Sequence, residues 1–161
     1  SKISVNQLIT DVVSLVRPLA NKQECVVVTH VAHNLPEISG DKKLLEEALI
    51  NLFINALEAI PKKGTIKLRA KQVIMEMIET GKNQVPIIRI DITDSGPGIA
   101  PENIDFIFDP FFTTKSAGTG LGLPMVLNTV KRHHGEIRIR NQNEGGAVIS
   151  LFLPITFNNT N

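Results

Sequence analysis

A chain of 161 residues, 42 % hydrophobic and 20 % charged, can bury one core without disulfide or metal staples. Its formal net charge of +1 gives no field for a polyanion, and Cys25, the single cysteine, excludes an internal disulfide. No apolar run reaches the length of a membrane span and no signal-peptide pattern opens the chain, so the expected compartment is the cytosol; beginning at Ser1 instead of Met, the chain reads as a piece of something longer.

Ser4 and Gln7 fit a capping box ahead of Val5, Leu8, Ile9, Val12, Val16 and Leu19, which recur at helical spacing. Pro18 is expected to kink or end that helix, because proline removes a backbone donor and crowds the preceding turn. The β-branched run over 25–31 predicts a strand, with Cys25 as a buried thiol. Asp41 is the expected N-cap of a second helix with the stripe Leu45, Ala48, Leu49, Leu52, Phe53, Ala56 and Ile60, stopped by Pro61 and Gly64.

Strands follow. Ile66, Leu68 and Ala70 alternate with Lys67, Arg69 and Lys71, and after a turn at Thr80-Gly81-Lys82-Asn83 the same alternation carries Ile88, Ile90 and Ile92 to Asp94. From 95 to about 118 no period survives, and so long a loop inside a compact domain points to function or motion. Leu123, Val126, Leu127 and Val130 predict a third helix, with Pro124 tolerable in its first turn. Glu136 to Arg140 and Ala147 to Leu153 close the chain as a hairpin around Glu144-Gly145-Gly146. Three helices and about five strands predict an α+β fold: a two-layer sandwich with the helices on one face of a mixed sheet.

Several residues carry chemistry. Asn51 and Asn55 lie four apart on the second helix, at the edge of its apolar stripe. An amide there can offer its carbonyl to a hard cation such as Mg²⁺; taken alone, two solvated asparagines are the favoured reading. Asp94 closes a strand and opens Asp94-Ser95-Gly96-Pro97-Gly98-Ile99. Its carboxylate can accept a hydrogen bond from adenine N6 but would repel the guanine oxygen, although a turn-forming aspartate explains the residue alone. Phe106, Phe108, Phe111 and Phe112, four of seven phenylalanines, crowd the aperiodic segment as a satellite core or a docking surface. Thr113-Thr114-Lys115 follows; Lys115 can neutralise a terminal phosphate, although a lone lysine is more often solvated. Gly118-Thr119-Gly120-Leu121-Gly122-Leu123 then leads into a helix, whose N-terminal N–H groups form an anion site.

In that order, the helix asparagines, D-S-G-P-G-I, F-D-P-F-F-T-T-K and G-T-G-L-G-L resemble the N, G1, F and G2 boxes of the catalytic ATP-binding domain of sensor histidine kinases. That domain has the GHKL, or Bergerat, fold. The resemblance runs from about Ser4 to Pro154, and the phenylalanine box is similar to the nitrogen-regulation type. It implies ATP and Mg²⁺ as ligands and a catalytic domain over 1–157. It implies that the dimerisation and phosphoacceptor domain lies elsewhere; the last residues, Asn158-Asn159-Thr160-Asn161, are expected to be a disordered tail on their own composition.

By the same resemblance Asn55 is the Mg²⁺ ligand, Asn51 the first asparagine of its box, and Asp94 the adenine-reading acid. Gly96, Gly98 and Ile99 shape the pocket beside Asp94. Gly118, Thr119, Gly120, Leu121, Gly122 and Leu123 form the phosphate loop. The lid would run from about 99 to 118, with Phe108, Phe111 and Phe112 as its anchors and Thr114 and Lys115 at the nucleotide. Ala147 stands where the family commonly has threonine, which implies one polar contact fewer near the adenine. Glu136 stands where a second glycine is usual.

ATP-hydrolysing members of the superfamily carry a glutamate one turn before the Mg²⁺ asparagine. Asn51 holds that place here, and its amide cannot take a proton from water. The γ-phosphoryl group therefore needs another acceptor, in this family a histidine on a dimerisation domain. None of His30, His33, His133 and His134 stands in the acidic-neighbour box such an acceptor requires. The implied partners are that domain and, through the phosphohistidine, a response regulator, with no nucleic acid and no direct membrane contact. The resemblance further implies a monomeric isolated domain and a homodimeric parent. Two other readings remain at this level: an anti-sigma-factor-like protein serine kinase and a non-catalytic nucleotide-gated module.

Overall fold

The computed structural model describes residues 1–77, 81–108 and 122–155. Helix α1 spans Val5–Lys22, strand β2 Cys25–Val31, helix α2 Lys42–Ala59, strand β4 Gly64–Met77, strand β5 Lys82–Asp94, helix α3 Gly122–Arg132, strand β6 Glu136–Asn141 and strand β7 Ala147–Pro154. Two short strands, β1 at Lys2–Ile3 and β3 at Ile38–Ser39, pair as an antiparallel ribbon that the sequence reading did not include. A single 3-10 turn, Ile104–Phe106, interrupts the aperiodic segment.

The sheet order is β2-β4-β5-β7-β6, with β2 parallel to β4 and every other pair antiparallel. Ile66, Leu68, Ala70, Ile88, Ile90, Ile92, Leu151 and Leu153 face the helices and join Leu8, Val12, Val16, Leu45, Leu49, Leu52, Phe53, Val126 and Val130 in one core. The expected α+β sandwich is therefore the observed one. On the other face the alternation brings up Lys67, Arg69, Lys71, Arg89 and Arg138. There Phe152 lies between two guanidinium groups, Arg89 at 5.5 Å and Arg138 at 4.9 Å from the ring centre.

Local details depart from expectation in three places. Helix α1 runs through Pro18 to Lys22 without ending there. Pro18 and Ser14, whose carbonyl loses its donor, are both exposed, so water takes the bond while Val16 and Ala20 keep the core side packed. Only half of the capping box forms: Ser4 Oγ accepts from Gln7 N at 3.3 Å, but the Gln7 amide donates forward to Asp11 at 2.8 Å. Finally, β4 and β5 extend past the rest of the sheet as a two-stranded arm, pairing out to Met77 and Lys82. Val73, Met75 and Val85 continue the alternation there and pack against Ile87 and Phe152. Gly81 takes φ +66° at the turn.

Candidate functional site

Helix α2 carries the asparagines. Asp41 caps it by accepting from Leu44 N at 3.1 Å, and Leu45, Ala48, Leu49, Leu52, Phe53, Ala56 and Leu57 bury one side. Asn51 and Asn55 fall just off that side and are half-buried. The Asn55 amide nitrogen is fully buried and has no hydrogen-bond partner. A buried donor left unpaired costs roughly 1–3 kcal/mol, so an amide kept in this state marks a place where a ligand is expected. It faces the start of α3: a Cβ on Gly122 would stand 3.8 Å from that nitrogen and 3.9 Å from Asn55 Oδ1. Leu123, the next residue, is half-buried against the core.

The other wall is the loop that leaves β5. Asp94 Oδ1 accepts from Gly96 N at 2.9 Å and from Ala147 N at 3.4 Å. Ser95 Oγ accepts from Thr65 N at 2.9 Å, tying the loop to β4. Gly96 is buried under the end of α2, where a Cβ would come within 2.5 Å of the Ala59 carbonyl oxygen. Gly98 holds φ +85°, a conformation that glycine adopts without strain. Gly146, also at φ +85°, is pressed so closely against the Asp94 carbonyl that no side chain fits. Ile99, half-buried, is held through both its backbone N–H and C=O by the side chain of Asn141.

The first part of the aperiodic segment is anchored by Ile107, which is buried, whereas Phe108 is half-buried and Phe106 is 51 % exposed. Phe111, Phe112, Thr114, Lys115, Gly118, Thr119, Gly120 and Leu121 lie outside the described residues. Among the described residues no three His, Cys, Asp or Glu side chains gather as a metal site. A hard cation here would therefore rest on the Asn55 amide together with oxygens of its own ligand, which is chemistry suited to Mg²⁺ on phosphates. Cys25 is buried, as expected, with its sulfur 3.6 Å from the Lys62 carbonyl oxygen.

Sequence reasoning overlooked Asn141, Ser95, Gly146 and the Ala147 N–H. Ala147 is buried, and its backbone amide rather than a side chain meets Asp94. Asn141 ends a strand before a turn, where asparagine is ordinary, so its role had no local signature.

Residues 40–156 match the model of the histidine kinase-, DNA gyrase B- and HSP90-like ATPase family. The chain belongs to this family. Within it, the similarity is to sensor histidine kinases. Sensor histidine kinase ZraS of Escherichia coli (strain K12) is 39 % identical over 153 residues, covering 95 % of this chain and 30 % of that protein. The histidine-protein kinase AtoS of the same organism is 34 % identical over 154 residues, covering 96 % of this chain and 24 % of that one. The chain thus spans under a third of the length of each of these two relatives. Among solved structures, a catalytic domain of histidine kinase ThkA in a nucleotide-free form superposes with a TM-score of 0.82 at 29 % identity, covering 98 % of each chain. A second ThkA structure, in complex with the response regulator protein TrrA, gives a TM-score of 0.78 at 27 % identity, covering 97 % of this chain and 42 % of that one. In this family member Asn51 and Asn55 sit on α2, Asp94 ends β5, Gly96, Gly98 and Ile99 lie on the loop that follows, Phe108 comes after the 3-10 turn, and Gly122 and Leu123 start α3. The structure brings Asn55 next to Gly122, and Asp94 next to Gly96 and the β6–β7 turn.

Proposed function

We propose that this chain is the ATP-binding catalytic domain of a two-component sensor kinase, which binds ATP·Mg²⁺ and donates the γ-phosphoryl group to a histidine on a separate dimerisation domain. The observation that carries the reading is the buried, unpartnered amide of Asn55 beside the first residue of α3. The unpaired atom is the amide nitrogen, a donor suited to a phosphate oxygen, while the oxygen of the same amide is the atom suited to Mg²⁺.

Asp94 accepts a hydrogen bond from the exocyclic amine of adenine, with its carboxylate oriented by the N–H groups of Gly96 and Ala147. Asn55 would hold Mg²⁺ through its side-chain oxygen, and the metal would supply charge neutralisation for the phosphoryl group during transfer. The first-turn N–H groups of α3, from Gly122 and Leu123, face the phosphates, continued by the loop of Gly118, Thr119, Gly120 and Leu121. Thr114 and Lys115 close over the terminal phosphate as part of a lid from about 99 to 118, for which Phe108, Phe111 and Phe112 are the apolar anchors. Asn51 offers no base to water, so the attacking group is a neutral imidazole nitrogen of the partner. Its lone pair forms the P–N bond as the bond to the β–γ bridging oxygen breaks; ADP leaves and the imidazole proton passes to solvent.

The domain extends over 1–157 with 158–161 as a tail. Its partners are the dimerisation domain of its own parent, a homodimer, and a response regulator that receives the phosphoryl group. The domain is placed in the cytoplasm, where its nucleotide and its response regulator are; none of the described helices is long and apolar enough to cross a membrane.

Supplying the chain with its dimerisation helices and labelled ATP tests the reading. Acid-labile phosphohistidine should appear on the helices and none on this chain alone. Acid-stable phosphoserine on a partner would instead identify a protein serine kinase, and nucleotide binding with no transfer a gated module.

A further inference from the structure

The polar contacts around Asp94 lead away from β5 to the turn between β6 and β7. Asn141 ends β6, an edge strand, and pairs in register with Ala147. Its side-chain oxygen accepts from Ile99 N at 2.8 Å, and its side-chain nitrogen donates to the Ile99 carbonyl at 2.7 Å. One primary amide thus makes the two bonds that a residue of a neighbouring strand would make, so an irregular stretch of backbone is fixed as firmly as a paired one. The fit is close. A Cβ on Gly98 would stand 2.8 Å from Asn141 Oδ1, so only glycine leaves room for the amide.

The same turn holds the other end of the stretch. Ala147 N donates to Asp94 Oδ1, and Gly146 is pressed against the Asp94 backbone. Asp94 and Ile99 are therefore both referenced to one hairpin, and β7 of that hairpin is paired to β5 from Ile87 to Thr93. An exposed asparagine at a strand end is ordinarily solvated or turn-forming. Here both of its polar atoms are used on a residue 42 positions away.

We infer that Asn141 is a positioning residue for base recognition: by clamping Ile99 it holds the loop so that the Asp94 carboxylate presents a single orientation, and it thereby sets the preference for ATP over GTP. The inference rests on the reading of Asp94 as the adenine acceptor. Both amide atoms are needed. An aspartate at 141 would still accept from Ile99 N but would set a carboxylate oxygen against the Ile99 carbonyl, and the two acceptors would repel.

The test compares Asn141→Asp, Asn141→Ala and Asp94→Asn in the 161-residue chain. Calorimetric affinities for ATP and GTP are measured, together with hydrogen exchange at the Ile99 amide without nucleotide. In Asn141→Ala, which removes both bonds, that amide should exchange about tenfold faster or more, and in both Asn141 variants ATP affinity should fall about tenfold, the size of a lost hydrogen bond to a charged group. GTP affinity should change by less than about threefold, so the preference narrows. Unchanged Ile99 exchange, or equal losses for the two nucleotides, overturns the inference and leaves Asn141 a structural residue. If Asn141→Asp does not fold, Asn141→Ser, which keeps one hydroxyl and adds no charge, is read by the same two measurements. The two failures separate cleanly. Preference insensitive to Asp94→Asn overturns the adenine reading itself; preference that collapses in Asp94→Asn but persists in the Asn141 variants overturns the role of Asn141 alone.

Discussion

The two walls of the pocket treat their polar groups in opposite ways. Around Asp94, backbone and side-chain groups are paired: Gly96 N and Ala147 N on the carboxylate, Thr65 N on Ser95, and both backbone atoms of Ile99 on Asn141. Around Asn55, a buried amide nitrogen has no partner at all. The difference teaches how the pocket divides its work. On the proposed function, the wall that tells one base from another gains by being rigid before the ligand arrives, because discrimination depends on an acceptor that cannot turn away. On the same reading, the wall that holds the metal–phosphate group keeps an unsatisfied amide, and the stability given up there is recovered on binding.

The largest expected effect breaks the comparison on the Asn55 side. Asn55→Asp or Asn55→Ala should abolish phosphoryl transfer to the dimerisation helices while some nucleotide binding survives, as judged by labelling and calorimetry in parallel. Asn55→Leu sharpens the point. It removes the unpaired donor, so thermal stability without nucleotide should hold or rise by about 1 kcal/mol while transfer is lost. A clear loss of stability would mean that the amide is a packing element and not a ligand.

On the other wall, Asp94→Asn should weaken ATP by about tenfold or more, because hydrogen bonds to charged groups are worth roughly 1.5–3 kcal/mol. Calorimetry that finds the wild-type chain binding ATP and GTP equally would remove the adenine assignment. Gly146→Ala attacks the scaffold behind that acid. It places a side chain at φ +85° and against the Asp94 carbonyl, and should cost about 2 kcal/mol in stability, read as a Tm lowered by roughly 4–8 °C. ATP affinity should fall with it if the turn positions Asp94, and stay unchanged if the turn only supports the sheet.

The smallest effect lies outside both walls. Gln23 donates to the Leu57 and Ile60 carbonyls at 2.7 and 2.9 Å and so closes the C-terminal end of α2. Gln23→Ala should cost about 1 kcal/mol in denaturant unfolding. Nucleotide affinity should not move, which makes this variant the control for stability losses unrelated to the site.

The order of elements, the helix caps at Ser4 and Asp41, and the alternation of β4 and β5 were all legible in the linear chain. Each depends on neighbours within a turn of helix or a few strand residues, and apolar period reports directly which side is buried. Asn55, Asp94 and the glycine clusters stood out in the sequence for a different reason: their order along the chain resembles a family's boxes, although each residue alone had a bland explanation. Tertiary structure decided the rest. Helix α1 continues past Pro18 because the lost bond faces water, and the β1–β3 ribbon forms because positions 2–3 meet positions 38–39. The Asn141 clamp and the Ala147 contact join residues 42 and 53 positions apart, and they exist because the sheet order sets β7 beside β5 and β6 beside β7. Local sequence specifies which groups a segment can offer. Which of them find partners, and which are left open as the Asn55 amide is, depends on what the fold brings alongside.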